Sequence, residues 1–555
     1  MLEAEPRARE VCALSRILVL GGYGGFGARL TRRLLARGHS VLVAGRSLEK
    51  ARAFCADAER AEPVVADRNG DLAPLLAETG PDLVIDAAGP FQGSDYRVPL
   101  SCACAKIPYL DLADARAFVT GISSLNVEGS DAGVAVVAGA SSVPALSGAV
   151  ARELAMDLDK VFGVEMAISA SKRATGGASV VAAILSYVGK PIRLWRGRRW
   201  DGGFGWQELV CETFALRNGG QLARRWLALA DVPDLDLMPE SLPGRPAVIF
   251  RAGTESALQT VGLWLLSWPV RWCGLRDMAR LAPLLLFLQR LTQSLSSDRS
   301  AMCVRLKGEA GGTLIERQWT LIASDGDGPD IPTLAAVILA DAILGGKITP
   351  GAQPAHTLLT LAQFEPLFAT LSLRHELVER RLPPPLCARV MGERFTALPE
   401  MVRTLHKVCG DGGASGEAVV TGGETFLARL IARIMRFPKA GSHPLHVSFA
   451  EHDGVERWTR RFGDQTFSSE LSERDGRLVE RFGPLRFTFD LPSNAHGLEM
   501  HLRAWSLFGI PMPLALAPRG VAREWEEQGH FRFDVPIALP LVGRIVHYTG
   551  WLEPA

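Results

Sequence analysis

Residues 17–27, Ile-Leu-Val-Leu-Gly-Gly-Tyr-Gly-Gly-Phe-Gly, decide the fold of the N-terminal part of the chain. Four apolar residues predict a buried strand, a glycine turn follows, and residues 28–35 have the apolar stripe of a helix. This context makes Gly22, Gly24 and Gly27 a dinucleotide-binding pattern. They allow a tight turn, a close approach of backbone N–H groups to a pyrophosphate, and close packing of helix on strand. The alternative is an ordinary glycine-rich turn.

Strand and helix patterns continue to alternate up to about residue 145, as in successive βαβ units. The second predicted strand, Ser40–Ala44, ends in Gly45-Arg46-Ser47. It lacks the acidic residue that a site preferring NAD usually places there for the ribose hydroxyls. Arg46 stands where a guanidinium can hold a ribose 2′-phosphate, which favours NADP. The alternative is a plain surface arginine.

Two more strands end at the same predicted edge. Asp67 follows the third strand, where it can accept a hydrogen bond from the adenine amino group or cap the next turn. The fourth strand, Asp82–Ala88, runs into Gly89-Pro90-Phe91, and small residues there allow the cofactor to pass close by. The residues expected to bind the cofactor are Gly22, Tyr23, Gly24, Gly25, Phe26, Gly27, Arg46, Asp67, Ala88, Gly89 and Pro90.

As a set, these motifs resemble the NADP-binding domain of saccharopine dehydrogenase-like proteins, and residues 109–112 and 138–144 fit that family's fifth and sixth strands. The likeness covers about residues 17–368. It implies a Rossmann domain with a doubly wound parallel sheet over residues 1–145. It also implies an inserted α+β domain over 146–370 that returns to the first domain. A nicotinamide cofactor is implied, whereas the reaction is not fixed.

Candidate catalytic residues are few. Tyr109 and Asp111, with Asp114 shortly after them, follow a strand on the cofactor side and can relay a proton, although aspartates there often cap helices. No histidine lies between His39 and His356, so a histidine acid or base is not expected near the cofactor. The basic, glycine-bearing loop at residues 172–179 can bind an anion or simply begin a helix.

The C-terminal third has a different pattern. Residues 371–386 are charged and then proline-rich, which predicts a linker. Residues 387–555 then alternate with period two between glycine turns, which predicts an antiparallel β-rich domain, curved or partly closed. Residues 437–438, 458–463, 480–484 and 547–550 resemble a bacterial domain of unknown function of the DUF4166 type. Its concavity can hold an apolar ligand or be filled by its own side chains.

Composition limits the partners. The formal net charge of +1 lacks the basic surplus of a nucleic-acid-binding protein. The apolar runs Ala257–Val270 and Leu281–Leu288 are each shorter than a bilayer span. As a hairpin they can lie on a membrane surface, within a core or in a homodimer interface. The nine cysteines show no zinc-site spacing, so no metal is expected. With no signal-like N-terminus, they indicate the cytoplasm.

These observations predict an NADP-dependent oxidoreductase of the saccharopine dehydrogenase-like type. It would transfer a hydride to or from an apolar carbonyl, imine or enoyl substrate, since the cofactor supplies the hydride and the protein orients it. The alternative is a non-catalytic protein that binds NADP or associates with a lipid surface, which the scarcity of acid–base residues favours.

Overall fold

A computed structural model describes residues 14–171, 178–274 and 298–555. Residues 16–138 alternate between parallel strands and helices. The strands are β1 (Arg16–Leu20), β2 (Ser40–Gly45), β3 (Ala61–Val65), β4 (Leu83–Asp86), β5 (Tyr109–Asp111) and β6 (Ala135–Ala138). The helices are α1 (Gly25–Ala36), α2 (Leu48–Cys55), α3 (Ala73–Thr79), α4 (Arg97–Cys104), α5 (Arg116–Gly121) and α6 (Asn126–Ala132). Helices cover both faces of the sheet, so its central strands are apolar and buried.

The next part of the chain builds a second, mixed sheet. The strands in this part of the chain are β7 (Lys160–Ala170), β8 (Pro191–Arg196), β9 (Arg199–Phe204), β10 (Val210–Ala215), β11 (Gln221–Leu229), β12 (Ala247–Thr254), β13 (Ser300–Ala310), β14 (Thr313–Ala323), β15 (Gly351–Pro354) and β16 (Leu373–Arg381). Three of them, β8, β9 and β15, lie outside the second sheet. The helices are α7 (Ser147–Ala155), α8 (Ala178–Tyr187), α9 (Asp234–Ser241), α10 (Ala257–Cys273), α11 (Ile331–Leu344) and α12 (Glu365–Phe368). The sheet order is β10-β11-β12-β7-β13-β14-β16, while β8 and β9 form a separate hairpin.

The chain then returns to the first domain. β15 pairs in parallel with β6 and completes a seven-stranded sheet of order β15-β6-β5-β4-β1-β2-β3. α11 packs on α1, and Asp330 just before α11 accepts from Arg29 at 3.0 Å and from Arg33 at 3.1 Å. The predicted Rossmann sheet with an inserted domain is confirmed.

The predicted linker at 371–386 is wrong for most of its length. β16 occupies Leu373–Arg381 and pairs with β14 as an edge strand of the second sheet. Its charges belong to ion pairs along that edge, Arg317 with Glu379 and Arg380 with Glu316. Charged side chains are typical of edge strands because they discourage pairing with other chains. The connection shortens to residues 382–385.

The C-terminal domain is a closed antiparallel barrel. Its strands are β17 (Asp411–Gly422), β18 (Gly441–His452), β19 (Val455–Phe462), β20 (Gln465–Arg474), β21 (Arg477–Phe482), β22 (Leu485–Asp490), β23 (Ser493–Asn494), β24 (Gly497–Leu507), β25 (Ile510–Met512), β26 (Ala522–Glu527), β27 (His530–Leu539) and β28 (Gly543–Pro554). The helices are α13 (Leu386–Met391), α14 (Glu400–Leu405) and α15 (Phe426–Ile434). The barrel closes because β28 pairs with β17 and β22 pairs with β24. The short strands β23 and β25 lie outside the ring. The antiparallel prediction is confirmed, and the sheet is closed.

The first apolar run forms α10, whose outer side chains are open to solvent. Leu258, Leu265 and Trp272 are exposed, so these positions do not belong to a core. Among the described residues, no helix is both long and apolar enough to span a membrane. The second run, Leu281–Leu288, lies outside the described residues, as does the basic loop at 172–177.

Candidate functional site

The glycine turn between β1 and α1 is built on close backbone contacts. Gly21 has φ +74°, a conformation that glycine adopts without strain. The N–H of Gly22 donates to the Val19 carbonyl at 3.2 Å and to the Ala44 carbonyl at 3.1 Å. A Cβ on Gly27 would lie 2.1 Å from the Gly21 carbonyl oxygen. Only a glycine at position 27 therefore lets the helix start this near the strand.

The N-terminus of α1 is open toward the cleft. Within the described ranges no side chain caps the helix, and the residues at its start, Gly24 and Gly25, are exposed. The first N–H groups of a helix lack partners within it and carry partial positive charge. A Cβ on Gly25 would meet nothing within 4 Å, so there is free space beside this turn. Backbone donors, positive dipole and space together fit the pyrophosphate of a dinucleotide.

Tyr23 links the glycine turn to the end of β2. Its hydroxyl accepts the Ser47 N–H at 2.9 Å, and its ring lies so close to Gly45 that a Cβ there would be 2.5 Å away. Arg46, between these two residues, is exposed and has no hydrogen-bond or ion-pair partner in the part of the chain that the structure describes. A guanidinium that is held by its backbone and left unpaired suits a ribose 2′-phosphate.

The acidic residue at the end of β3 has a local role. Asp67 accepts the N–H of Asn69 at 3.0 Å, which is the turn-capping alternative to adenine recognition. Its neighbour Arg68, which the sequence did not single out, turns back into the cleft. Arg68 lies over the Phe91 ring at 4.7 Å and donates to Ser94 at 2.8 Å.

The sequence analysis also does not predict the ion pair of Arg68 with Asp86. Asp86 ends β4, is fully buried, and accepts from Arg68 at 3.0 Å and from the Ala88 N–H at 2.9 Å. Burial raises the pKa of Asp86 and the charge of Arg68 opposes this. The pair fixes the turn at residues 87–90. The sequence feature that could indicate this ion pair is a carboxylate at the end of an otherwise apolar strand.

The turn after β4 closes the floor of the cleft. A Cβ on Gly21 would lie 3.0 Å from the Cα of Ala88, so the turns after β1 and β4 are in contact. The inserted domain reaches the same place, where the hydroxyl of Ser179 in α8 donates to the Gly89 carbonyl at 3.1 Å. The structure thus brings together the glycine turn, Arg46 and residues 88–90, as the sequence predicted. The inserted domain lies beside them.

Tyr109 and Asp111 point into the core. They lie on the same face of β5, and both side chains are 0% exposed. Asp111 accepts the Gly139 N–H at 2.8 Å and the Ala113 N–H at 2.9 Å, so it ties β5 to the turn after β6. Burial raises its pKa to about 7, while the two backbone donors lower it. This geometry supports a structural role and not the predicted proton relay.

Asp114, on the same segment, lies in the open part of the cleft. It remains accessible to solvent and accepts from the side-chain amide of Gln92 at 3.3 Å. Gln92 follows the Gly89–Phe91 turn, so this carboxylate is adjacent to the cofactor floor. The enclosing protein raises the pKa of Asp114 above its ordinary value. An accessible carboxylate with a raised pKa beside a cleft is a candidate acid or base.

Comparison with known families agrees with this geometry. Residues 17–137 match the family model of the saccharopine dehydrogenase NADP binding domain, and residues 398–552 match that of DUF4166, a domain of unknown function. The chain joins these two kinds of domain. Both resemblances drawn from the sequence are confirmed. The first domain has the fold that binds a nicotinamide cofactor, and the match supports an NAD(P)-dependent oxidoreductase.

Solved structures show only distant likeness. Saccharopine dehydrogenase (L-Glu forming) from Saccharomyces cerevisiae is 14% identical, with a TM-score of 0.44 over 66% of this chain and 100% of that one. Amine dehydrogenase from Mycobacterium smegmatis is 13% identical, with a TM-score of 0.30 over 62% and 95%. GenD2 from gentamicin A biosynthesis, solved with NAD, is 14% identical, with a TM-score of 0.33 over 69% and 100%. No curated protein matches the sequence.

Proposed function

We propose that the protein is an NADP-dependent oxidoreductase that transfers a hydride to or from an apolar carbonyl, imine or enoyl compound. The observation that carries this proposal is the exposed Arg46, which has no ion-pair partner among the described residues, beside the open N-terminus of α1. Together they offer two anion sites, one for the pyrophosphate and one for the 2′-phosphate that distinguishes NADP from NAD.

Different residues of the cleft bind different parts of the cofactor. The backbone N–H groups at the start of α1 hold the pyrophosphate, and Arg46 holds the 2′-phosphate. Tyr23 fixes Arg46 by holding the backbone on either side of it. Residues 87–90, secured by Asp86, form the surface on which the cofactor lies. The bound nicotinamide supplies or accepts the hydride, and the protein contributes orientation and proton transfer.

Proton transfer is assigned to Asp114. A carbonyl or imine that receives a hydride also needs a proton. The group that donates this proton must lie within reach of the reacting atom and have a suitable pKa. Asp114 is accessible, its pKa is raised, and the Gln92 amide orients its carboxylate. Asp111 is buried on the core side and does not offer an atom to the cleft.

The exposed face of α10 is apolar and aromatic, and this composition is our reason for proposing an apolar substrate. Trp264, Trp268 and Trp272 form a ladder with ring centroids 6.2 and 5.2 Å apart, and Trp272 is 72% exposed. Such a face favours contact with a lipid surface or a second copy of the chain. Association with a lipid surface without turnover is therefore the second candidate function. For either function we propose a cytoplasmic protein, with peripheral membrane contact through this region.

Turnover separates the two candidates. The purified chain is mixed with NADPH and a panel of long-chain ketones, imines and enoyl esters, and NADPH oxidation is followed by absorbance at saturating cofactor. The oxidoreductase proposal expects turnover with at least one apolar compound and less with its short-chain analogue. NADPH binding with no turnover across the panel would contradict it. Flotation of the chain with liposomes would then support the second candidate.

A further inference from the structure

The interior of the barrel holds a cavity of about 260 Å³ that the proposed function does not use. Its wall is mostly aromatic and aliphatic, with Phe462, Leu478 and Phe533 among the lining residues. Ligand pockets in proteins begin at roughly 300 Å³ and are mainly apolar with a few placed polar groups. The cavity is near the lower end of that range, so it suits an apolar molecule with a medium-length alkyl chain.

One end of the cavity is closed by α13 and α14. α13 contacts β20 and β21, while α14 contacts β26, β27 and β28. His406, which follows α14, has a neighbour at each ring nitrogen, Cys387 at 3.2 Å and Glu524 at 2.6 Å. Because these three side chains pair with one another, the closed end is not where we place a polar group of a ligand.

The other end of the cavity opens to solvent. Arg519 and Gly520 line the cavity there and are exposed. The N–H of Arg519 donates to the Ala538 carbonyl at 2.7 Å, which places this opening beside the end of β27. By the strand registers, Phe426 at the start of α15 and Phe508 after β24 lie at the same end, and both are exposed. A ligand therefore enters across an apolar rim.

A tyrosine hydroxyl faces this apolar cavity. Tyr548 of β28 lines the cavity and is 7% exposed, and its hydroxyl has no hydrogen-bond partner in the part of the chain that the structure describes. Burial raises the pKa of Tyr548 to about 12, so the hydroxyl keeps its proton and can donate a hydrogen bond. A buried hydroxyl without a partner costs free energy, which a ligand with an acceptor oxygen would recover.

Arg460 of β19 supplies further donors near Tyr548. Arg460 lines the cavity, and its guanidinium lies 5.6 Å from the centre of the Phe467 ring, which is itself 6.4 Å from the centre of the Tyr548 ring. The guanidinium donates to Ser469 at 2.9 Å, and Glu480 lies 3.8 Å from it and balances its charge. Since a guanidinium has five N–H groups, Arg460 has donors left for a ligand.

The charges inside the cavity favour a neutral ligand. Arg460 already faces Glu480, and His406 already faces Glu524, so each of these cations has a carboxylate partner. A ligand carboxylate would therefore bring an unbalanced charge into an apolar space, which is costly. A carbonyl oxygen needs only hydrogen-bond donors, and Tyr548 and Arg460 provide them.

We propose that the barrel is a binding site for a neutral apolar carbonyl compound, such as a medium-chain ketone or ester. The alkyl chain lies in the cavity, and the carbonyl oxygen accepts hydrogen bonds from Tyr548 and Arg460. The site lies in a different domain from the cofactor cleft, and binding needs neither NADP nor turnover. It can therefore be tested apart from the proposed function.

The test is calorimetric titration of the full-length chain, without NADPH, with decan-2-one and with decanoate at neutral pH, where decanoate is charged. The proposal expects about one equivalent of decan-2-one to bind, at least tenfold more tightly than decanoate. No binding of decan-2-one would mean that water or the protein's own side chains occupy the cavity, and would overturn the proposal. Binding of decanoate as tight as that of decan-2-one would overturn it as well.

Tyr548→Phe tests the hydrogen bond, since it keeps the ring and removes the hydroxyl. It should weaken decan-2-one binding by about three- to tenfold. Binding of the fluorescent probe N-phenyl-1-naphthylamine, which has no acceptor oxygen, should be unchanged. Tyr96→Phe is the matched control, because it removes a hydroxyl in the first domain and should change neither affinity. A folded Tyr548→Phe chain with the wild-type affinity for decan-2-one would overturn the proposal.

Val447→Phe tests the location of the alkyl chain. Val447 lines the cavity and is paired with Arg460 on the neighbouring strand, so a larger side chain there fills the space beside the proposed carbonyl site. The variant should bind decan-2-one at least tenfold more weakly than the wild type. Wild-type affinity in a folded Val447→Phe chain would overturn the proposal. If this variant does not fold, Tyr548→Phe decides.

Discussion

The hydroxyl of Tyr23 accepts the backbone N–H of Ser47 at 2.9 Å, and this contact joins the glycine turn after β1 to the end of β2. The Tyr23 ring also lies against Gly45 with no room for a Cβ between them. Arg46 lies between these two contacts, so its backbone is held on both sides. The position of the residue that we assign to NADP preference therefore depends on a residue in the glycine turn itself.

Tyr23→Phe tests this dependence. Loss of one hydrogen bond to a backbone N–H should destabilise the fold by about 0.5–1.5 kcal/mol. It should also weaken NADPH binding more than NADH binding, since Arg46 is less well held. Tyr96→Phe is the matched control because it removes a hydroxyl that donates to the Phe118 carbonyl at 2.9 Å in the same domain. Equal changes in the NADPH-to-NADH preference of the two variants would contradict the account.

Gly27→Ala tests the close packing of α1 on β1. Because the added Cβ would lie 2.1 Å from the Gly21 carbonyl oxygen, the backbone must shift. We expect a loss of about 1–3 kcal/mol in unfolding free energy, as for overpacked cores, and at least tenfold weaker NADPH binding. Calorimetry and fluorescence titration measure the two effects. Gly202→Ala, where a Cβ would meet nothing within 4 Å, should change neither.

Local patterns were sufficient to predict the sheet types. The apolar run at residues 17–20 and its glycine turn are contiguous, so their spacing alone indicated a Rossmann start. Closure of the barrel was not predictable, because it depends on β22 pairing with β24, and their alternation would be the same in an open sheet. The edge strand at 373–381 was misread because its charges resemble those of a linker.

Side-chain direction limited the prediction of the site. The sequence can predict a place for Arg46 beside the glycine turn because both lie within the motif and the strand that follows it. The contact between Arg68 and Asp86 joins residues 18 positions apart and depends on the turn that brings Arg68 back to β4. Tyr109 and Asp111 end a strand on the cofactor side, and the sequence shows no more than that. Whether a strand-end side chain faces the cleft or the core depends on the packing around it.

Asp111→Asn distinguishes a structural from a catalytic carboxylate. The pKa of Asp111 is raised from 3.8 to about 7, so the folded state holds this proton after the unfolded chain has lost it. Its contribution to stability is fully present below pH 4 and is lost as the pH rises to about 7. The amide oxygen of the substituted side chain still accepts the two backbone N–H groups, and the amide does not titrate.

The unfolding free energy of this variant should therefore depend less on pH between 4 and 7 than that of the wild type. Denaturant titrations at several pH values measure the difference. NADPH oxidation should be unchanged. Its loss in a variant that is folded and binds NADPH would contradict the structural role.

Asp114→Asn tests the assigned acid or base. General acid–base catalysis contributes about 10²- to 10⁴-fold, and turnover of any accepted apolar substrate should fall by that factor. The dissociation constant for NADPH should change less than twofold, because Asp114 is assigned to the reacting group and not to the cofactor phosphates. Steady-state kinetics and a cofactor titration on the same sample measure both. Unchanged turnover would exclude Asp114 from proton transfer.

The most direct test of the central claim is a titration of the full-length chain with NADPH and with NADH, repeated on Arg46→Ala and Arg52→Ala. Arg52 is another exposed arginine, on the neighbouring α2. We predict that the wild type prefers NADPH. Arg46→Ala should lose that preference by at least tenfold with little effect on NADH, and Arg52→Ala should keep it. Failure of the wild type to bind either nucleotide, or an equal effect of both variants, would contradict the assignment of this cleft to NADP.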